Sequence, residues 1–146
     1  GEQWEKALEL FNSMKDYGVR PDVTVFNAAI SACSKSGKWE KAFELFDSME
    51  DCQVQPDVAT FSAAISACGN GRQWEKALEL FNSMEDFRVQ ADVIAFNAAI
   101  RACGKGGQWE KALELFNSMQ ANGVKPNVFS YSAAISACGK GRQWEK

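Results

Sequence analysis

The chain has no histidine among its 146 residues. That removes Ser-His-Asp and Cys-His nucleophilic catalysis, histidine general bases and histidine metal ligands from this stretch of protein. It also removes zinc-deaminase chemistry, which needs a histidine or a third cysteine beside a Cys-x-x-Cys pair. No Cys-x-x-Cys occurs, so the five cysteines lack the close pairs of a metal or disulfide framework. No apolar run approaches the ~18–20 residues that cross a bilayer, so no membrane insertion is expected. No targeting segment is visible either. No catalytic constellation remains, and the chain reads as a non-enzyme that needs no cofactor.

What is present is repetition. "QWEKALELFNSM" fills residues 3–14 and returns unchanged at 73–84 and 108–119; "KWEKAFELFDSM" fills 38–49 and "QWEK" begins again at 143. The step is 35 residues each time. A fixed step of this length marks a helical repeat array. Complete units span 23–57, 58–92 and 93–127, with partial units at 1–22 and 128–146. Apolar residues make up 46% of the chain, which suits a packed core.

Each unit carries two helical patterns. In "VFNAAISACSK" at 25–35, Phe26, Ala29, Ile30 and Cys33 recur at helical spacing and form one face. Glycines are expected to close this helix: Gly37, then Gly69 with Gly71, then Gly104 with Gly106 and Gly107. The second helix runs over about 38–51, with Trp39, Ala42, Phe43, Leu45, Phe46 and Met49 inward and Lys41, Glu44, Asp47 and Glu50 outward. Pro21, Pro56 and Pro126 stop the chain, and the residue after each can cap the next helix. One such pair cannot bury both apolar faces, so pairs stack into an all-α solenoid of antiparallel helix pairs. Continuing repeats or a partner are expected at both ends. Cys33, Cys68, Cys103 and Cys138 lie one step apart and read as small buried hydrophobes, with Cys52 more exposed. Reduced thiols point to an intracellular compartment.

Charge is unevenly shared. The first-helix segments (23–38, 58–73, 93–108 and 128–143) hold seven basic residues and no acid, although the whole chain carries a net charge of −3. A basic stripe on one face is the footprint of a phosphate backbone.

The 35-residue pair, with "VTVFNAAISAC" first, "KWEKAFELFDSM" second and "VQPD" last, resembles the pentatricopeptide repeat over the whole chain. The units have the uniform length of that family's pure class. The resemblance implies a right-handed superhelix that binds single-stranded RNA, one base per repeat. It implies that the fifth and last residues of a unit select the base: Asn27 with Asp57, resembling the choice for uracil; Ser62 with Asp92, for guanine; and Asn97 with Asn127, for a pyrimidine, cytosine favoured. Ser132 and Asp22 are readers whose partners are missing. The implied sequence is 5′-U-G-(C/U)-3′. The residues implied to wedge between bases are Thr24, Ala59, Ile94 and Phe129. Those implied to meet phosphate are Lys35, Lys105 and Lys140, with Arg101 added from its place on the same face as Asn97. Asn70 departs from the lysine pattern. Family members work mostly in mitochondria or plastids. Each role has a plainer counterpart: Asp22, Asp57, Asp92 and Asn127 are good N-caps without any RNA, and Asn27 and Ser62 could be exposed polar residues. The rival function is a protein scaffold, as a subunit of an organellar ribosome or of a respiratory or photosynthetic complex.

Overall fold

The structure is a computed structural model that describes residues 3–142, with side chains described through residue 139. Among the described residues the chain forms eight α-helices and no strand: α1 (Gln3–Asp16), α2 (Val23–Lys35), α3 (Trp39–Asp51), α4 (Val58–Asn70), α5 (Trp74–Ser83), α6 (Val93–Lys105), α7 (Trp109–Ala121) and α8 (Val128–Arg142). None is long and apolar enough to cross a membrane.

Caps fix where α2, α4 and α6 begin. Asp22, Asp57 and Asp92 are extended, with φ of −108°, −111° and −107°. Their Oδ1 atoms accept the N–H of Val25 at 3.0 Å, Thr60 at 3.0 Å and Ala95 at 2.9 Å. Asn127 takes the same part for α8, accepting from the Ser130 N–H at 3.1 Å. A side-chain acceptor here satisfies one of the N–H groups a helix start leaves without a partner. Ala91 replaces the proline before Asp92, and the cap still forms.

The glycines divide their work differently from the expectation that they all stop helices. Of the six glycines expected to close first helices, only Gly37 (φ 72°) and Gly107 (φ 74°) take the left-handed turn position, and Arg72 (φ 61°) takes it after α4. After α2 the turn closes with Lys38 N–H donating to the Cys33 carbonyl at 2.8 Å, a Schellman motif. Gly69 and Gly104 lie inside their helices, where a Cβ would come within 2.9 Å of Ala102 Cβ and 3.1 Å of Ala137 Cβ. Gly71 and Gly106 are ordinary cap residues whose missing side chain makes room for Trp39 and Trp74: a Cβ would sit 2.3 Å from each indole's Cδ1.

This distribution of small and large residues sets the architecture. The backbones of α2, α4, α6 and α8 pack directly on one another, while those of α1, α3, α5 and α7 come as close only to first helices and meet one another through long side chains, as where Lys76 Nζ lies over the Phe43 ring at 5.1 Å. Small residues at the first-helix contacts (Gly69 against Ala102, Gly104 against Ala137) permit close approach. The second helices carry Leu, Phe and Met, and their backbones stand further apart. A layer that packs tightly beside one that does not must curve, with the first helices on the inside.

The core follows the sequence pattern. Phe26, Ala29, Ile30 and Cys33 are buried in α2, and Ala42, Leu45, Phe46 and Met49 in α3. Each second helix sends a phenylalanine edge-on against the next pair: Phe11 to Phe26 at 4.9 Å, Phe46 to Phe61 at 5.1 Å, Phe81 to Phe96 at 4.9 Å and Phe116 to Tyr131 at 4.9 Å. Such pairs add about 0.5–1.5 kcal/mol each beyond the area they bury. Cys33, Cys68 and Cys103 are buried as expected, but Cys138 is half-buried, like Cys52. The second helix that covers the equivalent position in the earlier pairs has no counterpart over α8 among the described residues.

Candidate nucleic-acid interface

The inner layer presents one polar face. Its described side chains include no acid, while Lys41, Glu44, Asp47 and Glu50 are exposed on α3, in the other layer. Trp4, Trp39, Trp74 and Trp109 belong to second helices and are half-buried, so none lies on this face; Trp144 is outside the described residues. No cluster of His, Cys, Asp or Glu suited to a metal ion occurs among the described residues.

Thr24, Ala59, Ile94 and Phe129 each stand one residue into a first helix, and all four are exposed. Ile94 is 62% exposed, unusual for a large apolar side chain in the midst of a packed array; Phe129 is 70% exposed on α8, where Val128 and Ile135 are as open. One turn on from these, Asn27 and Asn97 are half-buried, Ser62 is buried and Ser132 exposed.

The reading pairs meet across adjacent helix pairs. Asn27 Nδ2 donates to Asp57 Oδ1 at 3.1 Å, and Asn97 Nδ2 donates to Asn127 Oδ1 at 3.2 Å. Each pair also engages a hydroxyl. Thr60 donates to Asn27 Oδ1 and lies 2.8 Å from Asp57 Oδ1, while Ser130 donates to Asn97 Oδ1 at 2.5 Å. No hydrogen bond joins Ser62 to Asp92; the residue that matches Thr60 there is Ala95. The capping role weighed from sequence is therefore real for Asp22, Asp57, Asp92 and Asn127. It does not account for the bonds from Asn27 and Asn97, which a cap does not need. Asp22 caps α2 and has no reading partner in the chain.

Partial burial pushes the Asp57 carboxyl up, but bonds from the Thr60 N–H, the Thr60 hydroxyl and the Asn27 amide outweigh it. Its pKa falls below the ordinary carboxylate value, so it is an ionised, acceptor-only group at neutral pH.

Lys35 and Arg101 are exposed. Lys105 Nζ donates to Asn70 Oδ1 at 2.8 Å, so the position where a lysine was missing holds the next lysine in place. The Lys140 side chain lies outside the described residues. A shallow groove of about 460 Å³ between α6 and α8 gathers Arg101, Lys105, Phe129 and Ser132. Two cations thus share one concavity with Phe129, expected from sequence to wedge, and Ser132, expected to read a base. Thr60 and Ser130 were not picked out from sequence, and Asn70 only as a departure from the lysine pattern. The available signal was that a hydroxyl follows each reading asparagine by 33 residues, whereas alanine follows the serine.

The chain's known likenesses agree in family. The profile of the PPR repeat family matches residues 21–70 and 91–140, and that of the PPR repeat matches residues 1–19 and 59–89. No curated protein sequence matches. PPR10 in complex with an 18-nt psaJ RNA element superposes with a TM-score of 0.83 at 27% identity, over 98% of this chain and 21% of that one. PPR10 from maize gives 0.75 at 24% identity, over 90% of this chain and 19% of that one. The PPR domain of Arabidopsis thaliana protein-only RNase P 1, in complex with tRNA, gives 0.82 at 20% identity, over 98% of this chain and 76% of that one. The chain thus spans about a fifth of the length of PPR10. With profiles of one family matching nearly its full length, and helix pairs stacked as in those solenoids, the chain belongs to the PPR repeat family.

Proposed function

We propose that the chain is a non-catalytic reader of single-stranded RNA, taking one base per unit through the inner layer. Its units are 23–57, 58–92 and 93–127, flanked by partial units at 1–22 and 128–146. Asn27 with Asp57 selects uracil, Ser62 with Asp92 guanine, and Asn97 with Asn127 a pyrimidine, giving 5′-U-G-(C/U)-3′ from the N-terminal end. Thr24, Ala59, Ile94 and Phe129 wedge against the bases. Lys35, Lys105, Lys140 and Arg101 meet phosphate. Asp22 and Ser132 serve units that are incomplete here. The setting is organellar RNA metabolism in a mitochondrion or plastid, within a longer array.

The observation that carries the reading is the pair of asparagine bonds, Asn27 to Asp57 and Asn97 to Asn127. They place an amide, with hydrogen-bonding capacity left over, on a face whose helices carry no acid, Asp57 being the cap that holds Asn27 there. The groove that gathers Arg101, Lys105, Phe129 and Ser132 adds the cation and the stacking surface. PPR10, similar over 98% of this chain, is an RNA-bound member of the same family.

Stacking is worth about 1–3 kcal/mol per base before ordering costs, so three units bind weakly. The test is fluorescence anisotropy at low salt with RNAs that differ only in UGC or AAA, using the unaltered chain, Asn27→Ala and Asn97→Ala. The expected result is a UGC preference that both variants reduce and salt weakens. Equal binding, or none, by a folded chain overturns the reading and moves the function to protein docking.

A further inference from the structure

We propose that the third residue of the following first helix (Thr60 for Asn27, Ser130 for Asn97) is a positioning residue for base choice. This rests on the reading above. In the first pair the bonds form a closed circuit. The Asp57 N–H donates to Thr60 Oγ1 at 3.1 Å, and the one proton of the Thr60 hydroxyl is shared between Asn27 Oδ1 and Asp57 Oδ1, the latter at 2.8 Å. Asn27 Nδ2 donates to Asp57 Oδ1 at 3.1 Å, which also takes the Thr60 N–H at 3.0 Å. The third pair repeats the circuit: Asn127 N–H to Ser130 Oγ at 3.1 Å, Ser130 hydroxyl to Asn97 Oδ1 at 2.5 Å, and Asn97 Nδ2 to Asn127 Oδ1 at 3.2 Å.

The circuit matters because an asparagine amide has two nearly isosteric faces. Rotated by half a turn, it offers an acceptor where it had offered a donor. The hydroxyl decides between them. Its oxygen accepts from the cap residue's N–H, and its one proton lies between the cap residue's Oδ1 and the asparagine; with that Oδ1 already accepting Nδ2, the asparagine turns its own Oδ1 to the hydroxyl. The amide N–H₂ then faces the cap residue with one N–H unspent, and Oδ1 keeps one lone pair. A base thus meets a fixed donor and acceptor.

At the third pair this is decisive. Asn127 is itself an amide, and two facing amides can pair in either sense. Ser130 removes the choice: its N–H takes Asn127 Oδ1, and its hydroxyl takes Asn97 Oδ1. Thr60 and Ser130 are both fully buried, so the circuit is shielded from water on its inner side. At the second pair the reader is serine, whose single hydroxyl rotates freely and has no second face to fix. There the third residue is Ala95.

The test uses the full chain and four substitutions. Thr60→Val keeps the shape and removes the hydroxyl; Thr60→Ser keeps the hydroxyl. The third, Ser62→Asn with or without Ala95→Thr, builds an asparagine reader at the second pair. Ala95 and Thr60 are equally buried at matching positions, so threonine has a precedent in the same setting. Anisotropy with UGC and CGC RNAs reads the ratio of uracil to cytosine affinity at the first base. The side-chain amide signals of Asn27 and Asn97 in ¹⁵N spectra report the circuit without RNA.

The expected result is a roughly three- to tenfold loss of the ratio in Thr60→Val, the worth of one net hydrogen bond. The Asn27 amide signals change and those of Asn97 do not. Thr60→Ser retains the ratio, and Ser62→Asn gains uracil preference at the second base only with Ala95→Thr. A ratio that survives Thr60→Val, or a second-base preference that needs no Ala95→Thr, overturns the proposal alone. Lack of any base preference in the unaltered chain overturns the RNA reading and the proposal with it.

Discussion

Replacing Gly71 by alanine tests how adjacent pairs are set against each other. The added Cβ would lie 2.3 Å from Trp39 Cδ1, 2.7 Å from Cγ and 3.1 Å from Cβ. Carbon atoms rest at about 3.5–4.0 Å, so the first contact is short by more than an ångström. Turning the indole away relieves the first contact but leaves the third, because Trp39 Cβ is fixed to the start of α3. The backbone of α3 must therefore move against the end of α4. Overpacking of this kind costs about 1–3 kcal/mol. Alanine recovers about 0.4–1 kcal/mol by restricting the unfolded chain, since the φ of −86° at Gly71 suits any residue. The net loss is about 1–2 kcal/mol, or roughly 2–8 °C in Tm for a chain of this size. Thermal unfolding followed by circular dichroism reads it directly. The same substitution in a Trp39→Gly background should be nearly neutral, because all three contacts are then gone. An equal loss in both backgrounds, or none in either, would refute the packing argument.

Other outcomes follow from the same structure. Arg72 sits at φ 61° where Gly37 and Gly107 sit in the other turns, so Arg72→Gly should stabilise by about 0.5–1 kcal/mol in chemical denaturation. Asp57 has a lowered pKa in the folded chain, so its contribution to stability is full above the unfolded carboxylate value near 3.8 and is lost as pH falls through the lower folded value. The stability difference between the unaltered chain and Asp57→Asn, measured from pH 7 to pH 2.5, should therefore shrink only at the acid end. Burial pushes the Cys68 and Cys103 thiols up to about 11, so iodoacetamide at pH 8 should label Cys52 and Cys138 first and reach Cys68 and Cys103 only on unfolding. Asp92→Ala should cost about 1 kcal/mol, the worth of an N-cap.

The sequence by itself determined the step, the two helices of each unit and the faces they bury. Periodicity reports those, because every repeat meets the same neighbours and obeys the same pattern. It also placed the acids outside the first helices, and it placed Thr24, Ala59, Ile94 and Phe129 at one helical phase. Tertiary structure decided the rest. Gly71 and Gly37 read alike as helix stops, yet one makes room for an indole and the other supplies a left-handed turn. That difference depends on what a neighbouring repeat puts beside them. Asn70 read as a missing lysine until its amide was seen to hold Lys105 from the next unit. Thr60 and Ser130 carry no signal within their own helix, because the asparagines they bond lie 33 residues earlier. A chain met as a line shows which side chain each position carries. Only stacking shows which atoms of one unit complete the hydrogen bonds of another, because those partners become neighbours when the solenoid closes its pairs together.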